Sequence, residues 1–99
     1  MFVLVVKINA IKGKEEQLVE ALRKAITKVR QNEPNTLMYD LHREIDNPTE
    51  LFFYERYKDK QAWEDTHMSA PYIKGLLDEI AEYLDGELEI TQYELIEVK

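Results

Sequence analysis

Glu55 and Tyr57 stand two positions apart in the segment ELFFYERY (residues 50–57), and His67 follows shortly after. A carboxylate, a phenol and an imidazole are groups from which acid–base catalysis is assembled. If the segment is a strand, alternation puts Leu51, Phe53, Glu55 and Tyr57 on one face. With Phe53 turned toward a core, Glu55 would be withdrawn from water too, and burial raises a carboxyl pKa toward that of a working base. The other reading of Glu55 is a strand-end carboxylate, solvated or paired with Arg56 or a lysine. His67 falls in a loop rather than on an apolar helical face, and histidine titrates near neutral pH without needing burial. Trp63, the single tryptophan, is either core or rim packing or the wall of a pocket. Tyr72, at the start of a helix, either closes a pocket or caps the core.

Other chemistries find no support. Gly13 stands alone among lysines, so no glycine-rich phosphate or dinucleotide turn exists. Neither GxSxG nor HExxH occurs. With two histidines, His42 and His67, one chain cannot build a histidine-rich metal site. Glu64, Asp65 and His67 are close in sequence but read as a solvated acidic turn, so no metal is expected. The absence of cysteine excludes disulfides and thiolate chemistry and suits a reducing cytoplasm. The net charge is −7, and from Gly75 onward eight acidic residues face one lysine, Lys99. Such a surface repels nucleic acid and anionic lipid. The apolar run Met1 to Val6 is too short to span a bilayer and reads as a strand rather than a signal.

The elements that must position these residues follow one another within a single domain over residues 1–99. Phe2 to Asn9 is apolar on both parities, as in a strand covered on two sides. After Gly13, Leu18, Leu22, Ala25, Ile26 and Val29 predict a helix over about Lys14 to Asn32, closed by Pro34 and Asn35. Thr36 to Arg43 and Glu50 to Tyr57 read as strands joined by the turn Asp46-Asn47-Pro48-Thr49. A short helical turn is expected around Lys60 to Asp65. A longer helix then has Ser69 as N-cap, Pro71 in its first turn, and a buried face of Ile73, Leu76, Leu77, Ile80 and Leu84. Gly86 is expected to end it, and Glu87 to Val98 to form the last strand. The order βαββαβ is the α+β ferredoxin-like arrangement, an antiparallel four-stranded sheet with two helices on one face.

Two helices cover one sheet face only. Yet Phe52 and Tyr54 oppose Leu51 and Phe53, and Val3, Val5 and, at a less regular end, Ile8 oppose Phe2, Leu4 and Val6. An apolar second face calls for a cover, and the simplest is another copy, burying roughly 1,200–2,000 Å². His42, alternating with Met38 and Asp40, is structural or at that dimer face.

Four short motifs in order carry a family resemblance: Glu33-Pro34-Asn35, Asn47-Pro48, Glu55-Arg56-Tyr57 and His67-Met68-Ser69-Ala70-Pro71-Tyr72. The chain resembles, over nearly its whole length, the antibiotic biosynthesis monooxygenase (ABM) domain family of dimeric α+β barrels. The resemblance implies a pocket between sheet and helices, a dimer through the other sheet face, and no obligatory flavin or metal. It implies a cofactor-independent oxygenase of quinol-like or small phenolic substrates, in which a deprotonated substrate reduces O₂ itself. Phe53, Trp63 and Tyr72 would then be pocket walls, His67 or Glu55 the base and Tyr57 a donor. The chain departs from the family in several places. Phe53 and Tyr57 stand where quinone-forming members carry asparagine and tryptophan. Leu76 or a neighbour replaces the histidine of haem-degrading members, Tyr72 replaces a second loop histidine, and a residue is inserted before His67. The run Tyr-Glu-x-Tyr-Lys-Asp is also similar to relatives that isomerise the phosphorylated autoinducer-2 signal. An enzyme for such a sugar phosphate, or a non-enzymatic small-molecule-binding dimer, are the alternatives.

Overall fold

Phe2–Asn9 forms strand β1, and its position at the centre of the sheet organises everything else. The computed structural model describes Met1 to Lys99. Helix α1 (Glu15–Asn32) leads to β2 (Thr36–Arg43) and β3 (Glu50–Tyr57). A wide helical turn over Ala62–His67, helix α2 (Pro71–Ile80), a tight turn at Ala81–Tyr83 and β4 (Glu89–Glu94) complete the chain. All strand pairs are antiparallel, in the order β2-β3-β1-β4. This is the expected ferredoxin-like α+β fold. No helix is long and apolar enough to cross a membrane.

Alternation sorts the side chains as strand geometry requires. Leu4, Val6 and Ile8 of β1 and Leu51, Phe53 and Tyr57 of β3 are buried toward the helices. Leu18, Leu22, Ala25 and Val29 of α1 and Ile73, Leu76 and Ile80 of α2 meet them. Ile8 is a correction: expected with Val3 and Val5, it pairs regularly with Leu51 and so stays on the helix-facing side. Lys7 takes the outward place and is exposed.

Four boundaries also differ from expectation. The helical turn after β3 starts at Lys60 as expected, with the Asp59 carboxylate accepting from the Ala62 N–H at 2.9 Å as its N-cap, but it runs on past Asp65 and widens over Ala62–His67. Ser69 does not cap α2; its hydroxyl donates to the carbonyls of Asp65 (2.5 Å) and Thr66 (3.3 Å), and Ala70 holds the cap position. Helix α2 ends at Ile80, ahead of Gly86, whose φ of +89° serves the turn into β4 instead. Leu84 consequently lies beyond the helix and is half-buried, while Leu77, expected on the buried face, is an exposed residue of α2 beside Leu76. Strand β4 starts at Glu89 rather than Glu87, where pairing with Lys7 begins, and stops at Glu94 rather than Val98, because Phe2, its last partner, begins β1.

The outward sheet face presents Val3, Val5, Phe52 and Tyr54, with His42 stacked on Phe52 at 4.3 Å between ring centroids. No element of the chain's own two helices covers that face.

Removing a packed side chain should cost transfer energy plus that of the void left behind. Leu22→Ala is expected to lower unfolding free energy by about 2–5 kcal/mol in urea titration. The fully exposed Ile45→Ala should stay within about 0.5 kcal/mol. The reverse ranking would contradict this core.

Candidate active site

Three segments deliver polar side chains beneath the helices. Strand β3 contributes Glu55 and Tyr57 on the same face as Phe53, and Glu55 is 4% exposed. Arg56 points to the opposite face, where its Nη2 lies 3.5 Å from the Tyr54 hydroxyl, so it does not pair with Glu55. The Tyr57 hydroxyl donates to Glu55 Oε1 at 2.6 Å. Burial pushes the Glu55 carboxyl up; the Tyr57 bond and nearby His67 pull it back only in part. Burial and the same carboxylate also drive the Tyr57 phenol far above its ordinary range, so it remains a neutral donor.

His67 ends the wide turn. Its geometry comes from a Met68 N–H to Trp63 carbonyl bond of 2.9 Å, which encloses one residue more than an α-turn. The histidine is carried inward at the end of this turn. It is 3% exposed, not the accessible loop histidine expected from the sequence.

The third segment supplies a residue that sequence reasoning did not single out as functional. Glu33 closes α1, its N–H bonded to the Val29 carbonyl at 2.9 Å and its own carbonyl accepting from Thr36 N–H at 3.1 Å. That tight turn swings the side chain inward, to 4% exposure. Oε1 accepts from the Thr36 hydroxyl at 2.7 Å and lies 2.8 Å from His67 Nδ1. Oε2 accepts from the Tyr72 hydroxyl. Burial acts to raise the Glu33 pKa, but the bonds from His67, Tyr72 and Thr36 outweigh it and hold the carboxyl below its ordinary range. Tyr39 was also missed. It stacks on Phe53 with centroids 4.2 Å apart and meets His67 edge-on at 5.1 Å. Its parity, opposite to Met38, Asp40 and His42, was the available signal.

A cavity of about 60 Å³ lies between sheet and helices. Tyr39, Phe53, Glu55, Trp63, His67 and Met68 line it together with aliphatic side chains of β1, α1, α2 and the segment from Leu88 to Ile90. Trp63 does both jobs considered for it, stacking on Phe2 at 5.5 Å and walling the cavity. Tyr57 and Tyr72 do not line it; each donates to a carboxylate. His67 Nε2 and Glu55 Oε2 have no bond within the chain, yet the only buried side-chain polar atom without a partner is Arg56 Nε. Both His67 and Glu55 line the cavity. No group of three or more His, Asp or Glu side chains is placed to hold a metal ion.

The architecture is that of a ferredoxin-like domain with a polar site set inside its sheet–helix layer. The model for the antibiotic biosynthesis monooxygenase family matches residues 1–78, and the chain belongs to that family. A search of curated proteins finds no match. Among solved structures, one described as an antibiotic biosynthesis monooxygenase superposes with a TM-score of 0.89 at 21% identity, covering 98% of this chain and 100% of its own. A Mycobacterium tuberculosis protein gives 0.88 at 23% identity, with 98% and 96% covered. A conserved protein of Methanosarcina mazei gives 0.82 at 26% identity, with 93% and 89% covered. These likenesses establish a shared fold.

The two carboxylates should act oppositely on stability. Glu33, with a lowered pKa, stabilises the fold above its ordinary value of 4.5 and loses that contribution as pH falls through the folded value. Glu55, with a raised pKa, favours the fold while protonated and loses that contribution as pH rises from 4.5 through its folded value. In urea midpoints measured across about pH 3–8, Glu33→Gln should flatten the acid limb. Glu55→Gln should be more stable than the parent at the neutral end. Loss of stability there would mean that Glu55 is ionised and favourably paired.

Proposed function

We propose that this chain is a cofactor-independent monooxygenase of a quinol-like or other small phenolic substrate, acting as a homodimer in the cytoplasm. The observation that carries this is the presence of His67 and Glu55 together in the lining of an otherwise apolar cavity. A base in a dry site can take the phenolic proton, and the resulting electron-rich anion transfers electrons directly to O₂. The overall change is quinol plus O₂ to hydroxyquinone plus water. One oxygen atom enters the ring, the other leaves as water, and all four electrons come from the substrate. His67 is assigned as base, with Glu55 next. Tyr57 holds the Glu55 carboxyl, and Phe53 and Trp63 hold the ring.

The cavity lining contains no lysine or arginine, which favours a phenol over a sugar phosphate. Its 60 Å³ holds about two waters, whereas a benzene-sized ligand needs a cavity of about 150 Å³. Binding therefore requires movement of lining side chains, of which Leu77 at 36% and Ile90 at 47% are the most exposed.

Three features support a dimer. The outward sheet face is apolar, as described, and it carries the buried, unpartnered donor Arg56 Nε. The segment after β4 has strand-forming residues but outruns β1, leaving Ile96 92% exposed and Val98 57% exposed. β2 is an edge strand whose outer side lacks a neighbour. A second copy can cover the face and offer its edge to the segment.

Oxygen uptake against a panel of quinols, with and without added metal, tests the reaction. His67→Ala should cut turnover about 10²–10⁴-fold, whereas Phe53→Ala should chiefly raise KM. Unchanged turnover in His67→Ala would transfer the base role to Glu55. Sedimentation at micromolar concentration should report twice the chain mass of 11.8 kDa, and Phe52→Glu should weaken association. A parent protein that sediments as a monomer would refute the dimer.

A further inference from the structure

We propose that Glu33 is the positioning residue of this site: its carboxylate locks His67 in the tautomer protonated at Nδ1, leaving Nε2 as the nitrogen that exchanges protons with a ligand in the cavity. The inference rests on the proposed role of His67, but it is a statement about the free protein and can be tested without a substrate.

The argument begins with what a carboxylate can do. Ionised, it only accepts hydrogen bonds. Glu33 receives the Thr36 hydroxyl on Oε1 and the Tyr72 hydroxyl on Oε2, and both donors favour the ionised form. With Oε1 only 2.8 Å from His67 Nδ1, the ring nitrogen facing it must carry the proton. The lone pair then belongs to Nε2, the atom with no bond inside the chain. A histidine with Nδ1 as acceptor would set its lone pair against the carboxylate's.

Ring orientation is fixed as well as protonation. Tyr39 and Tyr57 meet the imidazole edge-on at 5.1 and 5.6 Å, one from β2 and one from β3. The ionisable groups around the ring are Glu33 from the turn after α1, Tyr39 from β2, and Glu55 and Tyr57 from β3. Tyr72 of α2 reaches it only through Glu33. When Nε2 takes a proton, Glu33 is the carboxylate in contact with the resulting cation. This is the service an aspartate renders to the histidine of a serine hydrolase triad. Tyr72 thereby acquires a role other than pocket wall: it holds Glu33, which holds His67.

The imidazole ¹⁵N spectrum of the labelled parent protein reads the tautomer directly. At a pH where His67 is neutral, Nδ1 should show the shift of a protonated ring nitrogen and Nε2 that of an unprotonated one. A parent protein with the opposite pattern overturns the proposal before any variant is made. In Glu33→Gln the Nδ1-protonated population should fall and the two shifts should approach each other. Glu33→Asp, which keeps the charge, should restore part of the difference. If Glu33→Gln does not fold, Tyr72→Phe and Thr36→Val each remove one donor and should loosen the preference without abolishing it. Unaltered shifts in all the folded variants would refute the role of Glu33. Once a substrate is known, Glu33→Gln should lower kcat about 10²–10⁴-fold with little change in KM. Full turnover in His67→Ala alongside the expected ¹⁵N pattern would instead reject the base assignment and keep the positioning one.

Discussion

The contact between Glu33 and His67 joins parts of the chain that no backbone ladder connects. A carboxylate withdrawn from water without partners costs several kcal/mol, and a lone buried imidazole is also unfavourable once charged. The pairing offsets part of each cost. Glu33 leaves α1 on a turn, His67 arrives on the wide turn after β3, and Tyr72 comes from α2. The helix layer is thus tied to the sheet exit by polar bonds as well as by apolar packing. Such a pair specifies one arrangement of these segments, because any other leaves a charge unpaired.

Around this link, strand alternation allocates the remaining chemistry. Glu55 is buried because it shares parity with Leu51, Phe53 and Tyr57, not because the site favours a carboxylate. Its cost is reduced by the Tyr57 hydroxyl and by a raised pKa, which lets the group be neutral where burial demands it. Two glutamates in one layer are therefore held in opposite senses. Glu33 has three donors, and they lower its pKa; Glu55 has one, and burial raises its pKa. Carboxyls pushed apart in this way, with an imidazole between them, are equipped for proton transfer.

The wide turn before His67 is the device that makes the arrangement possible. An α-turn would place the last residue differently around the helix axis; the extra residue rotates it inward, and Ser69 secures the carbonyls that the turn leaves free. The result leaves little empty volume, so a ring-sized ligand has to displace lining side chains.

Periodicity alone determined the element order, the α+β class and the two-sided character of the sheet. Those properties depend on which residues share a face of one strand or helix, and that is local. The placement of Glu55, Tyr57 and Phe53 on one side of β3 was legible for the same reason. The role of Glu33 was not: it opened the motif Glu33-Pro34-Asn35, but nothing local marks its carboxylate as buried rather than solvated at a helix end. Its burial depends on Thr36, His67 and Tyr72, the last two lying 34 and 39 positions away along the chain. The end of β4 was equally non-local, since a strand lasts only as long as its neighbour and β1 begins at Phe2. Tertiary structure also decided that His67 is buried and which of its nitrogens meets a carboxylate, because hydrogen-bond partners are chosen by space and not by spacing.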